Sequence, residues 1–355
     1  MSALYITSAE IACGTTALCA GIGKKLTGLK KVGFFIPARF SDARAGAEPP
    51  ADATFFKETF QLPETVEQLC PLVISPGELW QCLTDDLTDF SQQVRQMYRN
   101  VARDKDIVIM EGLGNISRDK VSELACYTIP EVLDAKVIIV VRYAIRPDTA
   151  RVMQICKKLG NRLLGVVINF VPESKVPPAR QHLAKQFQDK GIPVLGVLPQ
   201  LRSLLGVTVA ELSKVLGGEL ILGNGNQDAI IENVMLGAMT PGSGIDYFSR
   251  KDNKAVVVRI DRPDMQLAAL QTSTRCLVLT NADGQPSQIV LSTAQDKHVP
   301  IILTKKGVPE TIAAIEKALG KVSFAHPEKV RRFSSAMESH FDFSALFAGL
   351  GLSAT

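Results

Sequence analysis

The sequence predicts an α/β fold in which a doubly wound parallel-sheet lobe is followed by a smaller α/β unit. In roughly the first two hundred residues, short apolar runs alternate with longer segments of helical periodicity, the pattern of a parallel sheet covered by crossover helices. The alternation restarts on a smaller scale after a glycine-rich stretch at residues 206–225. A chain of 355 residues also has room for about two domains, each with its own core.

The elements of the first lobe follow from the apolar pattern in chain order. Two of the later predicted helices begin at a proline, Pro147 and Pro178, and proline is well suited to the first turn of a helix. The predicted strands are residues 3–6, 31–36, 106–110, 135–141, 164–169 and 193–198. The predicted helices are residues 15–26, 76–102, 147–159 and 178–190.

The second unit is predicted after Leu205, where the strand pattern breaks. A short helix at residues 209–216 precedes a run of glycines, and four further strands follow at 234–239, 255–260, 276–280 and 301–303. Helices are expected at 263–273, 287–297 and 308–319, and the apolar stripe of residues 327–350 predicts one amphipathic helix. We therefore expect domains at 1–205 and 206–320, and a C-terminal helical tail at 321–355.

Composition excludes several classes of protein. Hydrophobic residues make up 46% and charged residues 21%, which excludes disorder as the main state. The net charge of +4 comes from scattered basic residues, so no nucleic acid partner is expected. No apolar run approaches the roughly 20 residues that span a bilayer, so no membrane partner is expected and the predicted location is cytoplasmic. The seven cysteines form no metal-binding pattern and are expected to be reduced thiols.

The loop at residues 7–16 lies between the first strand and the first helix, where phosphate-binding loops occur. Gly14 and Thr16 fit such a loop, but Thr15 stands at the position of its lysine. A strand-to-helix turn without a ligand is the alternative. Cys13 is either a reactive thiol at a helix N-terminus or a small buried side chain.

Five pieces of the first lobe resemble the dethiobiotin-synthetase-like P-loop domain, which also forms the front of long bacterial phosphate acetyltransferases. They are the loop 8–16, the strand end 34–37, the segment 107–114, the strand end 166–169 and the segment 196–199. The resemblance implies an adenine nucleotide with Mg²⁺ as cofactor. It implies nucleotide contacts at Glu111 and Asn169, with Asn169 reading the adenine edge. The loop residues Gly14, Thr15 and Thr16 and the cation Arg39 are further candidates for nucleotide contact from their own positions, and Thr16 and Glu111 are the candidates on the Mg²⁺ side. The alternatives are a surface charge for Glu111 and a strand cap for Asn169.

Two lysines expected of the catalytic relatives are replaced, one by Thr15 and one by Ile36. Both losses remove positive charge from the same phosphate, so we expect ATP turnover to be absent. Arg39 and Arg44 follow the second strand and are the cations that could reach an anion there, unless they belong to a solvated loop.

The second unit resembles the DRTGG domain, which follows the P-loop lobe in those acetyltransferases and also occurs in regulated pyrophosphatases. Asp261 and Arg262 match the first letters of the motif, while the later Thr-Gly-Gly appears as Thr280, Asn281 and Ala282. The resemblance implies ligand or partner contacts at Asp261 and Arg262, although a local salt bridge is equally expected of an exposed pair. It also implies self-association through the DRTGG domain as a homodimer or larger even assembly, to which we expect the apolar tail to contribute.

Two functions are predicted from these features. The leading one is a regulatory or scaffolding protein with a degenerate nucleotide-binding lobe and a DRTGG module for assembly or sensing, with a metabolic enzyme as a further partner. No acetyl transfer is expected, since the chain has no segment after the DRTGG module matching the catalytic unit of phosphate acetyltransferase. The alternative is an ATP-dependent ligase-like enzyme, or an accessory subunit of acetyl-phosphate metabolism, in which Arg39 or Arg44 and Glu111 rebuild an ATP site.

Overall fold

A computed structural model describes residues 1–41, 50–144, 149–222, 226–238, 241–319 and 324–352. The chain divides into two compact units: Met1–Leu201 together with Phe324–Thr355, and Arg202–Ser323. The first unit is therefore discontinuous in sequence. The predicted boundary after Leu205 lies four residues from the observed one, but the tail predicted as a separate segment belongs to the first unit.

The first unit contains a six-stranded sheet, and all its pairings are parallel. The strand order is β2-β5-β1-β6-β7-β8, which confirms the predicted doubly wound lobe. A separate pair, β3 and β4, is also parallel. The strands of this part of the chain are β1 (Ser2–Ser8), β2 (Val32–Phe35), β3 (Arg39–Phe40), β4 (Val73–Ile74), β5 (Ile107–Glu111), β6 (Lys136–Arg142), β7 (Leu163–Val171) and β8 (Val194–Pro199).

Helices cover both faces of this sheet, so its central strands are buried and read as continuous apolar runs. The helix predicted over residues 76–102 is wrong as a single element, because Asp85 ends one helix and Asp86 caps the next. The helices are α1 (Thr15–Thr27), α2 (Ala51–Phe60), α3 (Val66–Leu69), α4 (Pro76–Thr84), α5 (Leu87–Ala102), α6 (Lys120–Val132), α7 (Thr149–Leu159), α8 (Val176–Pro178) and α9 (Lys185–Gln188), with a π-helical segment at Ala179–Ala184 and 3₁₀ turns at Gly160–Arg162 and Glu173–Lys175.

The second unit is the predicted smaller α/β domain. A 3₁₀ turn at Arg202–Leu205 opens it, and its five-stranded sheet has the order β10-β15-β14-β13-β12, in which β10 is antiparallel to β15 and the remaining pairings are parallel. Its strands are β9 (Val207–Thr208), β10 (Glu219–Ile221), β11 (Ile230–Ile231), β12 (Asn233–Leu236), β13 (Lys254–Arg259), β14 (Thr274–Thr280) and β15 (Ile301–Leu303). Its helices are α10 (Val209–Leu216), α11 (Pro241–Phe248), α12 (Pro263–Leu270), α13 (Gln288–Asp296) and α14 (Val308–Leu319).

The C-terminal segment forms two helices, α15 (Pro327–His340) and α16 (Phe343–Leu350), rather than the single predicted helix. The break lies at Phe341, which forms an isolated β-bridge with Gly196 of β8. Helix α15 packs on α1, where a Cβ placed on Gly21 would lie 2.3 Å from Met337 Sδ. The apolar stripe is therefore buried within its own chain, so it gives no support to the predicted homodimer interface.

No helix in the described part of the chain is long and apolar enough to cross a membrane.

Candidate functional site

The loop between β1 and α1 approaches its neighbours so closely that glycine is required at its end. Gly14 is the N-cap of α1 and adopts a left-handed conformation with φ of 86°. A Cβ on this residue would lie 2.6 Å from Asn169 Nδ2, and Ala12 before it also has a positive φ of 55°. The turn therefore delivers the first residues of α1, Thr15 and Thr16, to the carboxyl end of the sheet, where open α/β sheets bind ligands.

Glu111 ends β5 and lies beside the start of this helix. Its Oε1 accepts hydrogen bonds from Thr15 Oγ1 at 3.0 Å and from Thr16 Oγ1 at 2.7 Å. Its Oε2 is buried and has no hydrogen-bond partner among the described residues. Burial is the main cause that raises the pKa of Glu111 to about 8, and the nearby Asp52 raises it further.

Arg39 on β3 faces Asp52 on α2, with 3.6 Å between Nη1 and Oδ2. Arg39 Nη1 is buried without a hydrogen-bond acceptor in the described structure. Partial burial raises the pKa of Asp52, and the Arg39 guanidinium opposes that rise. The charge of the arginine is thus partly neutralised by Asp52.

These side chains surround one cavity of about 570 Å³. Arg39 is the one cation among the described residues that line it, against the carboxyl groups of Asp52, Glu111 and Asp119. The predicted candidate Arg44 lies outside the described residues. The remaining lining residues are Ser8, Ile11, Ala12, Thr15, Thr16, Ile36, Ala38, Phe40, Pro76, Gly112, Leu113, Gly114, Asn115 and Ser122.

Asn169 is placed on the other side of the loop and does not line this cavity. Its Nδ2 donates to the carbonyl of Cys13 at 2.9 Å, and its Oδ1 accepts from the backbone N–H of Phe170 at 2.9 Å. Only 3% of its surface is exposed. In this structure the amide therefore fastens the loop to the end of β7, and its predicted contact with adenine stays a prediction.

Two functional residues were missed from the sequence. Arg142, at the end of β6, donates from Nη1 to the carbonyl of Ala12 at 2.9 Å and stacks on the ring of Phe170. Asp52 was missed because it lies in a segment with no strand pattern to place it. A signal for Arg142 existed, since it directly follows the predicted strand 135–141, at the same edge of the sheet as the loop.

The reactive-thiol alternative for Cys13 is wrong. The side chain is buried, and burial raises the pKa of the thiol rather than lowering it.

The oxygen donors near the loop suit Mg²⁺ only in combination with oxygens of a ligand. Thr16 supplies a hydroxyl and Glu111 one unpartnered carboxyl oxygen, both of the hard type that Mg²⁺ prefers. Among the described residues, no group of three or more histidine, cysteine, aspartate and glutamate side chains could hold a metal ion.

In the second unit, Asp261 and Arg262 each form a local ion pair. Asp261 accepts from Arg259 Nε at 2.9 Å, and Arg262 Nη2 lies 2.8 Å from Asp264. These contacts lower the pKa of Asp261 and of Asp264, chiefly through the hydrogen bonds from the arginines. A ligand or partner contact at Asp261 and Arg262 therefore stays a prediction.

Comparison with protein-family models gives two matches. An AAA domain model matches residues 2–208, and a DRTGG domain model matches residues 211–318. The two matches confirm the resemblances and the domain order predicted from the sequence.

Curated proteins with similar sequences include both relatives that the motifs indicated. The chain is 24% identical over 364 residues to phosphate acetyltransferase of Nitratidesulfovibrio vulgaris, covering 97% of this chain and 51% of that protein. It is 23% identical over 221 residues to ATP-dependent dethiobiotin synthetase of Bacillus licheniformis, covering 60% of this chain and 92% of that protein. The chain thus spans about half the length of the acetyltransferase relatives it matches.

Solved structures that align with part of the chain include the CBS and DRTGG domains of the regulatory region of Clostridium perfringens pyrophosphatase. This structure aligns with a TM-score of 0.29 and 16% identity, over 39% of this chain and 69% of that one.

Proposed function

Because this chain belongs to the AAA domain family over residues 2–208 and carries a DRTGG domain over residues 211–318, we propose that it is a regulatory protein. Its first lobe binds a phosphate-bearing ligand without turning it over, and its second domain serves assembly or sensing. The similarity to phosphate acetyltransferase over nearly the whole chain supports a role in regulating that kind of metabolism.

The observation that carries the proposal is that the described residues around the phosphate position include no lysine. Thr15 occupies that position and donates its hydroxyl to Glu111. Arg39, the one described cation lining the cavity, already faces Asp52. Phosphoryl transfer needs positive charge around the transferred group, and one such cation can change the rate by about 10³ to 10⁵. One paired arginine and three carboxyl groups are the charged side chains that the described residues bring to this cavity, and that set is poorly suited to phosphoryl transfer.

A nucleotide in this lobe would be held through Gly14, Thr15, Thr16 and Arg39. Mg²⁺ would add its positive charge between Thr16, Glu111 and the phosphates. The alternative function is an ATP-dependent ligase-like enzyme, in which Arg39 or Arg44 supplies the positive charge of the missing lysines and, with Glu111, rebuilds the ATP site. The similarity to dethiobiotin synthetase favours this alternative.

A charge-restoring substitution tests the proposal. We expect Thr15→Lys to bind ATP at least about tenfold tighter than Thr15→Met, since a charge-assisted hydrogen bond contributes about 1.5 to 3 kcal/mol. Methionine matches lysine in length without the charge, so the difference between the variants isolates the charge. Isothermal titration calorimetry on the full chain measures both. Equal affinities for the two variants, or tight binding by the unmodified chain, would contradict the proposal.

We propose that the chain binds a second copy of itself through the second domain. The DRTGG match supports it, and the buried C-terminal stripe no longer does. Light scattering on the full chain should give about 77 kDa, twice the mass of one 38.5 kDa chain. A mass of one chain at micromolar concentration would remove the dimer from the proposal.

A further inference from the structure

The second unit contains a cavity of about 530 Å³ at the carboxyl ends of β14 and β15. Its walls are residues 282–285, which follow β14, and residues 303–306, which end β15 and continue beyond it. The end of α10 forms the third side, and it lies so close to β15 that a Cβ on Gly218 would be 2.8 Å from the carbonyl oxygen of Leu303. Open α/β sheets bind ligands at the carboxyl ends of their strands, and the volume is within the range of small-molecule sites.

Hydrogen bonds fix the two walls relative to each other. The N–H of Ala282 donates to the carbonyl of Thr304 at 3.1 Å, and the N–H of Asn281 donates to the carbonyl of Lys306 at 3.1 Å. The N–H of Lys306 donates in turn to Thr304 Oγ1 at 3.3 Å. The backbone that carries Lys305 and Lys306 is therefore held in place, so both lysine side chains start from fixed positions on the cavity wall.

Four charged residues line the cavity, two of each sign. Lys305, Glu219 and Asp283 are exposed and Lys306 is half-buried, so solutes can reach all four. In the described part of the chain, none of the four forms an ion pair. The cavity therefore presents unpaired positive charge and unpaired negative charge to one ligand.

These charges favour a ligand that carries both signs. An anion without a positive group would bring its charge close to Glu219 and Asp283, and a cation without a negative group would meet the two lysines. A zwitterion gives each pair of charged side chains a partner of opposite sign, and such complementarity makes recognition specific. The exposed backbone N–H groups of Gly284 and Gln285, which have no partner among the described residues, add donors for an oxygen of the ligand.

We propose that this cavity binds a free α-amino acid. Lys305 and Lys306 bind its carboxylate, and Glu219 and Asp283 bind its ammonium group, both of which are charged at neutral pH. The inference rests on the proposed function, in which the second domain serves assembly or sensing, and it names the class of ligand that is sensed.

Two sets of small molecules that differ in charge provide the test. In the first set, L-glutamine carries both charged groups, glutaramate lacks the ammonium group and 4-aminobutanamide lacks the carboxylate. In the second set, L-leucine is compared in the same way with 4-methylpentanoate and 3-methylbutylamine. Isothermal titration calorimetry on the full chain measures each dissociation constant. We expect at least one of the two amino acids to bind below about 10 mM, and both of its single-charge analogues to bind at least about tenfold more weakly.

Removing the two lysine charges should weaken the amino acid without affecting its analogue that lacks the carboxylate. We expect the double variant Lys305→Gln and Lys306→Gln to bind the amino acid at least about tenfold more weakly than the unmodified chain does. The matched control is the double variant Lys297→Gln and Lys317→Gln, which removes two exposed lysines of the same unit that do not line the cavity. Because both variants change the net charge equally, a difference between them reports contacts in the cavity.

Removing the two carboxylates should have the converse effect. We expect the double variant Glu219→Gln and Asp283→Asn to weaken the amino acid at least about tenfold and to leave its analogue without an ammonium group no weaker than before. The matched control is the double variant Glu310→Gln and Glu316→Gln, two exposed glutamates of α14 that do not line the cavity.

Three results would each overturn the inference. They are no binding of either amino acid at about 10 mM, binding of a single-charge analogue within about tenfold of its amino acid, and equal losses in a cavity variant and its control. The proposed function has a separate test, because ATP turnover contradicts it whether or not an amino acid binds. A failure of amino acids to bind leaves a first lobe without turnover intact.

Discussion

The buried carboxyl of Glu111 should make the stability of the first unit depend on pH in a direction opposite to that of an ordinary paired carboxylate. Its pKa is raised from the usual 4.5 to about 8 by burial, so the folded chain keeps a proton that the unfolded chain loses. Glu111 does not lower the free energy of unfolding below about pH 4.5. The free energy falls as the pH rises toward 8 and levels off above that. At about 1.4 kcal/mol per tenfold change in an equilibrium, the full cost is about 5 kcal/mol at pH 8.

Glu111→Gln removes this titration and keeps an oxygen that can accept from Thr15 and Thr16. We expect the variant to be more stable than the unmodified chain by about 2 to 5 kcal/mol at pH 8.5, and to differ little from it at pH 5. The lower figure allows for water reaching the carboxylate once it ionises. The matched control is Glu58→Gln, an exposed glutamate on α2, whose curve should run parallel to that of the unmodified chain.

Urea unfolding at several pH values between 5 and 9 measures the effect. The single tryptophan, Trp80, lies on α4 of the first unit, so its fluorescence reports the unfolding of the unit that contains Glu111. A Glu111→Gln curve parallel to the unmodified chain over this range, or a variant that is less stable at pH 8.5, would refute the reasoning.

Two further substitutions test the packing and the loop. Met337→Ala should lower the free energy of unfolding of the first unit by about 2 to 5 kcal/mol, because the side chain is fully buried against α1; an unchanged Trp80 unfolding midpoint would show that α15 does not stabilise that unit. Asn169→Ala should cost about 1 to 3 kcal/mol in the same assay, since the Cys13 carbonyl and the Phe170 N–H lose their partner, and a neutral effect would contradict the fastening of the loop.

The sheet of the first unit was predictable because parallel strands buried on both faces leave continuous apolar runs in the sequence. The runs at 106–110 and 135–141 lie within one residue of the ends of β5 and β6. Helix α6 was not predicted, although Asp119 caps it through bonds to two backbone N–H groups, because Pro130 near its end obscures the helical pattern.

The discontinuous first unit could not be read from sequence order. The stripe from Val330 to Phe341 indicates a buried face but carries no information about the surface that covers it. Here Met337 packs at Gly21, some 300 residues earlier in the chain, and Phe341 pairs with the edge strand β8. Limited proteolysis after Leu205 is therefore expected to destabilise the first unit unless the C-terminal helices stay bound, rather than release two independent pieces.

The candidate site was partly predictable. The positions of Thr15, Thr16 and Glu111 in their motifs predicted that these side chains lie close together, because residues at the carboxyl ends of neighbouring parallel strands share one edge of a sheet. The facing pair of Arg39 and Asp52 depends on how α2 packs, and the local sequence does not fix that packing.

Phosphate release from ATP by the purified full chain tests the central claim most directly. With Mg²⁺ present, we expect the unmodified chain and Glu111→Gln to release phosphate at the same background rate, because Arg39, which faces Asp52, is the one cation that the described residues bring to the cavity. Mg²⁺-dependent release well above background by the unmodified chain, abolished in Glu111→Gln and in Arg39→Gln, would contradict a regulatory lobe without turnover and establish an enzyme.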